Sequence, residues 1–306
     1  MFPYLKILPL CLFVTIVYAH SGSFHDDLVP ANEAPEFKAT CTITIKGDKL
    51  IIESNGIPEH SVGRFPNPGN PHSITTQRHH YEMPLHPEVA NETTPLIRQP
   101  WGVALNGIPF DPGTAEYYNR DRDSVWNYEA LSGEVQLGLD KNHAHVQPSG
   151  AYHYHGLPTA LFKQLSEGKE QMTLLGWAAD GFPLYGIYGY ANADDVTSSA
   201  IELKSSYQVK NGNRPSGEDS PGGTYDGTFT IDYEYVAGSG DLDECGGRYG
   251  VTPEFPEGTY YYVLTEDYPF IPRMFRGTPD PSFERKRGGN GPPSHEGMPR
   301  PRRFGF

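Results

Sequence analysis

Cysteine is scarce in this chain: Cys11, Cys41 and Cys245 are the only three in 306 residues. That scarcity excludes a small disulfide-stapled scaffold, and without a C-x-x-C pair it excludes a dithiol oxidoreductase. Basic residues are outnumbered, 24 Lys and Arg against 38 Asp and Glu, for a formal charge of −14. A surface of that sign repels phosphate backbones, so nucleic-acid binding is excluded as the main role. After the first twenty or so residues no apolar run is long enough to span a bilayer, which predicts no transmembrane segment. There is no G-x-S-x-G nucleophile elbow and no phosphate-cradling glycine loop with a lysine. Long helical periodicities are also missing. What is plentiful is 20 Tyr, 34 Gly and 29 Pro, a composition that favours β structure with much loop.

The opening MFPYLKILPLCLFVTIVYAHSG has the grammar of a secretory signal. Lys6 supplies the positive start, an apolar run extends from Ile7 to Val17, and small residues follow at Ala19 and Ser21. Residues 1–19 are therefore predicted to be a cleaved signal and the protein to be secreted, extracellular or periplasmic. Residues 20–36 read as a flexible polar leader. Cys11 leaves with the signal, and in an oxidising compartment one disulfide between Cys41 and Cys245 is the simplest pairing. Asn91, in Asn-Glu-Thr, is the one N-x-S/T glycosylation acceptor. From Glu284 to Phe306 there are six Lys/Arg against two Glu, a tail of +4 on a body of −18. This basic Gly/Pro/Arg-rich tail, 284–306, is predicted to be disordered and suited to contacting an acidic surface.

Within the body, CTITIKGDKLIIES alternates around Gly47-Asp48 as a hairpin does. LPTALFKQLSEGK is the clearest helix, with Pro158 suited to its first turn and Gly168 to its end. WGVALNGIPF (101–110) matches LGWAADGFPL (175–184). Tyr128-Glu129 is answered by Tyr233-Glu234, GLDKN (138–142) by DLDEC (241–245), and VQPSGAYHYH (146–155) by VTPEFPEGTYYYV (251–263). Four matches in one order predict an internal duplication, about 101–160 and about 175–270. The expected fold is mainly β with one or two short helices, an internally duplicated β unit of sandwich- or barrel-like form. In the second arm Tyr261 takes the place of His153, and Val263 that of His155.

The stretch NHAHVQPSGAYHYHG carries four of the twelve histidines. On a strand, side chains alternate faces, so His153 and His155 point one way and Tyr152 and Tyr154 the other. His143 and His145 form a second His-x-His pair, and Pro148 with Gly150 favours a turn that folds the pairs together. Neutral imidazoles so arranged suit Zn or Cu, giving metal-ligand candidates His145, His153, His155, His143 and, from the SNGIPEH turn, His60. Tyr152, Tyr154, Tyr261, Asp140 and Glu129 are candidates to orient or flank the imidazoles. The competing reading is a half-buried sheet face whose imidazoles simply hydrogen-bond to carboxylates.

AHVQPSGAYHYHGLP also resembles the signature of the YHYH-domain family. The similarity extends through GVALNGIPFDPGTAEYY, NYEALSG, GWAADGFPLYGIYGY, GGTYDGTFTIDYEYVAG, DLDECGGRYGVTPEFPEGTY and YPFIPRMFRGTPDPSF, from roughly residue 40 to 283, which defines a domain over 37–283. The resemblance implies a secreted or periplasmic protein and brings no established activity. His145, Tyr152, His153, Tyr154 and His155 fall on the family's core motif, and His60 on a further family position. Tyr260, Tyr261 and Tyr262 stand where the family often has Tyr-His-Tyr. Met274 replaces a family cysteine, which implies that Cys245 has another partner, Cys41. The functions left in play are a metal-dependent hydrolase or oxidase acting on a small molecule, a non-enzymatic metal-binding protein, and a matrix or surface module without metal.

Overall fold

Alternation in CTITIK and KLIIES, broken by a glycine able to take positive φ, produces the hairpin Cys41–Lys46 and Lys49–Ser54, with Gly47 at φ 64°. The computed structural model describes residues 34–285. The predicted signal over 1–19, most of the predicted leader and the predicted tail from 286 onward lie outside the described residues. His79–Pro84 completes a three-stranded sheet, which turns Leu50, Ile52, Tyr81 and Met83 into the core.

The larger sheet has eight strands. Their spatial order is Gly247–Gly250, Thr259–Val263, Pro183–Tyr185, Leu174–Ala178, Gly102–Ala104, Pro109–Phe110, Tyr152–Tyr154 and Ala144–Val146. Each half runs through the same connections. A tight hairpin turns at Asn106-Gly107 or Asp180-Gly181, with the glycines at φ 77° and 89°. Its second strand then lies parallel to the inner strand of a later antiparallel arm. The halves meet where Gly102–Ala104 pairs with Leu174–Ala178, symmetrically about Val103 and Trp177: Gly102 opposes Ala178, and Ala104 opposes Gly176. Positions aligned in the two sequence repeats thus occupy equivalent places. Phe110 sits beside Tyr154 as Leu184 sits beside Tyr262.

The fold is mainly β, as the composition predicts, and the sheets are open. The helix of the LPTALFKQL stretch is Thr159–Leu165; Leu161 is buried, and Gly168 ends the turn with its N–H bonded to the Lys163 carbonyl. Trp101 anchors the centre, edge-on to Tyr262 and stacked on Phe275. No helix among the described residues is long and apolar enough to cross a membrane.

The expected Cys41–Cys245 bridge is not formed. Both thiols are free: Cys41 leans on the Leu105 carbonyl at the start of its edge strand, while Cys245 is buried in the turn before Gly247–Gly250. Burial pushes each thiol up to about 12, the protonated and unreactive form.

Candidate metal centre

The inner strand Tyr152–Tyr154 is buried on both faces, and alternation sorts its side chains. On one face His153 lies in register with His145 of the neighbouring strand, and His155 follows two residues on. His155 Nε2 is 2.9 Å from His153 Nε2 and 3.1 Å from His145 Nε2. All three rings lie with centroids 4.7 Å apart. His153 and His155 are buried, and His145 keeps a partly open edge.

The backbone sets the tautomers. His145 Nδ1 lies 2.8 Å from the Leu137 carbonyl and His153 Nδ1 3.3 Å from that of Ala151. A carbonyl only accepts, so each Nδ1 carries the proton and each Nε2 presents a lone pair to the centre. His155 Nδ1 is buried without a hydrogen-bond partner. One proton on His155 Nε2 can bridge only one of its two neighbours at a time, and the remaining lone pairs face each other. Tetrahedral zinc with nitrogen ligands at 2.0–2.1 Å needs nitrogens about 3.4 Å apart, so an ion fits if the triad opens by a few tenths of an ångström. Burial holds His145 below the usual imidazole range and His153 and His155 well below it. The rings' mutual repulsion adds to this, as do the Arg285 charge for His153 and the Arg273 charge for His155. The three imidazoles are therefore neutral, as a ligand must be.

The same sheet face holds groups that sequence reasoning did not single out. Parallel pairing of Phe110 with Tyr154 puts Asp111 beside His155 on the histidine face, and the Asp111 N–H donates to the Tyr154 carbonyl at 2.9 Å. Asp111 is buried, its carboxyl pushed up to about 6 by desolvation. Gln147 donates to it at 2.9 Å, and Arg285 pairs with it. Gln147 was findable, two residues from His145 on one strand. Asp111 was not, because a parallel neighbour from a different segment brings it there. Arg285 falls within the segment assigned above to the basic tail, 284–306.

The other candidates lie elsewhere. His60 is on the opposite face, its Nε2 2.6 Å from Tyr154 Oη and its Nδ1 bonded to the Ser61 carbonyl. His143 bonds through Nδ1 to the Leu157 carbonyl and does not join the triad. Tyr152 and Tyr154 turn away from the imidazoles: Tyr152 donates to Asp140 at 2.7 Å, and Asn106 donates to Tyr154 at 2.8 Å. Asp140 instead caps its own turn, accepting from the Asn142 N–H. Glu129 forms a buried ion pair with Arg273 at 2.7 Å and touches no imidazole. Tyr261 lies in the other half, where Arg248 donates to its hydroxyl at 2.6 Å. Asn91 is exposed.

Residues 80–277 match the model of the family described as YHYH protein. This chain belongs to the YHYH family. No curated protein and no solved structure matches it. The triad falls inside the matched span, as do Asp111 and Gln147, whereas His60 and Arg285 lie outside it.

Proposed function

We propose that this YHYH protein is exported and binds a divalent first-row transition metal, zinc or copper, through Nε2 of His145, His153 and His155. The observation that carries the reading is the convergence of these atoms at 2.9 and 3.1 Å, with two of the Nδ1–H groups committed to backbone carbonyls. Three protein nitrogens and a partly open edge suit a site that works on a small molecule better than a closed structural one. Bound zinc would supply Lewis acidity and a water of lowered pKa, and copper would supply redox chemistry. Asp111, held by Gln147 and Arg285 on the same face, is the carboxylate placed to take a proton or orient a hydroxyl, which favours hydrolysis over simple metal storage.

Protein purified without an affinity tag should carry one equivalent of metal by elemental analysis. Joint His153→Ala and His155→Ala substitution should weaken zinc and copper binding by more than the roughly 100-fold that loss of a supporting group costs. Unchanged affinity in that variant, measured by calorimetry, would refute the site.

A further inference from the structure

Arm for arm, the two halves of the large sheet are built alike. Asp140 and Asp243 each accept a tyrosine hydroxyl, from Tyr152 at 2.7 Å and from Tyr260 at 2.9 Å. Each caps the turn after it, accepting from Asn142 or Cys245. Each sends its backbone N–H to the carbonyl of Ala144 or Gly247, at 2.8 Å in both cases. By the same register Val146 corresponds to Tyr249 and Gly138 to Asp241.

The halves differ in what lies on top. In the first half the chain's own segment over residues 60–70 covers the Tyr–Asp pair. The Gly63 N–H donates to Asp140 Oδ2 at 2.8 Å, so closely that a Cβ there would meet Asp140 at 2.5 Å. The Phe65 ring sits edge-on to Tyr152, with centroids 6.1 Å apart. The Asn67 amide reaches the Gly138 carbonyl at 3.0 Å, and the Asn70 amide reaches the Val146 carbonyl at 2.9 Å. In the second half the corresponding place is a groove of about 690 Å³, lined by Tyr235, Asp241, Asp243, Tyr249, Tyr260 and Arg276 among others. Among the described residues Asp243 accepts only from Cys245, Gly247 and Tyr260, and nothing takes the part of Gly63. Tyr249 stands 65 % exposed beside the groove.

We propose that this groove binds an extended peptide segment of another chain, lying along the Gly247–Gly250 edge strand as residues 60–70 lie along Ala144–Val146. The internal cover specifies the chemistry of the occupant. A glycine or other small residue passes over Asp243 and donates its N–H, and an aromatic residue two positions later packs on the exposed ring of Tyr249, which itself lies edge-on to the buried Tyr260 with centroids 6.3 Å apart. Side-chain amides beyond it reach the strand and turn carbonyls. Proline suits the segment because the recognition is extended and makes little use of backbone donors after the glycine. Asp243 already faces the Arg276 charge, and the exposed Asp241 favours a basic residue between glycine and aromatic, the place Arg64 holds in the cover. The groove lies at the opposite end of the sheet from the histidines, so the proposal is independent of the metal reading.

The probe is the synthetic peptide SVGRFPNPGNP, residues 61–71 of this chain. Titrated into the full-length protein and followed by fluorescence anisotropy, it should bind saturably with a dissociation constant below about 1 mM. Replacing its phenylalanine by alanine should weaken binding by about tenfold, and so should Tyr249→Asp in the protein, a change at an exposed side chain that leaves the melting temperature unmoved. Absence of saturable binding, or equal binding by the Tyr249→Asp variant, overturns the proposal. It is also overturned if a neutral hexasaccharide displaces the peptide at concentrations below the peptide's own, because the groove would then be a glycan site.

Discussion

His143 holds a left-handed backbone conformation, φ 51°, that residues other than glycine and asparagine seldom take. Its counterpart is Gly246 at φ 75°, and each closes the same turn with its N–H on the carbonyl of Asp140 or Asp243. The position is a turn position first, and the imidazole is spent on the Leu157 carbonyl, which is why its spacing from His145 misled as a ligand pattern. A similar pair separates the hairpin turns. Asn106 donates to Tyr154, whereas Asp180 accepts from Tyr262 at 2.6 Å and from the Gly277 N–H at 2.8 Å. Burial pushes the Asp180 carboxyl up to about 6, against hydrogen bonds that pull it down. A carboxyl whose folded value exceeds its unfolded value of 3.8 contributes stability that is complete below that value and lost as pH rises through about 6. Asp180→Asn cannot titrate. The stability of the wild type relative to this variant should therefore fall by about 2 kcal/mol between about pH 4 and pH 7. Denaturant melts at the two pH values would test this, and a constant difference would contradict it.

At the scale of the element, the Tyr152–Tyr154 strand with His155 serves two purposes on two faces. Alternation made His153 and His155 legible as a pair and correctly parted them from the tyrosines. It could not show that the tyrosine face is closed by a segment far upstream, with His60 2.6 Å from Tyr154 and the Asn106 amide at 2.8 Å. His60 was conspicuous in the sequence, but its partner is a phenol. The division of faces has a measurable consequence. Tyr154→Phe strands the buried His60 and Asn106 side chains and should cost about 1–3 kcal/mol of stability. Zinc affinity should stay within about twofold, because the hydroxyl lies across the sheet from the imidazoles. Chemical denaturation alongside zinc titration reads both quantities. A large loss of affinity would mean that the two faces are coupled.

For the molecule as a whole, the order of the repeats in the sequence foretold the order of the connections in the sheet. The contact that joins the halves was not legible, since it depends on which strands become neighbours. It is a close one: a Cβ on Gly176 would lie 2.2 Å from the Val103 carbonyl oxygen, and one on Gly102 2.5 Å from that of Trp177. Gly176→Ala should destabilise the protein by about 3 kcal/mol. Because that seam unites one continuous sheet, the variant should still unfold in a single transition by both circular dichroism and tyrosine fluorescence. Two separated transitions would show that the halves fold on their own. The cysteines misled for a related reason. Cys245 stands at the position of Asn142, a buried turn site, and Cys41 serves a different sheet. With both thiols protonated and apart, no covalent cross-link joins Cys41 to Cys245 in the described fold. A reductant therefore finds no bond to break between Cys41 and Cys245, and the segments that carry them hold their places by packing and hydrogen bonds alone.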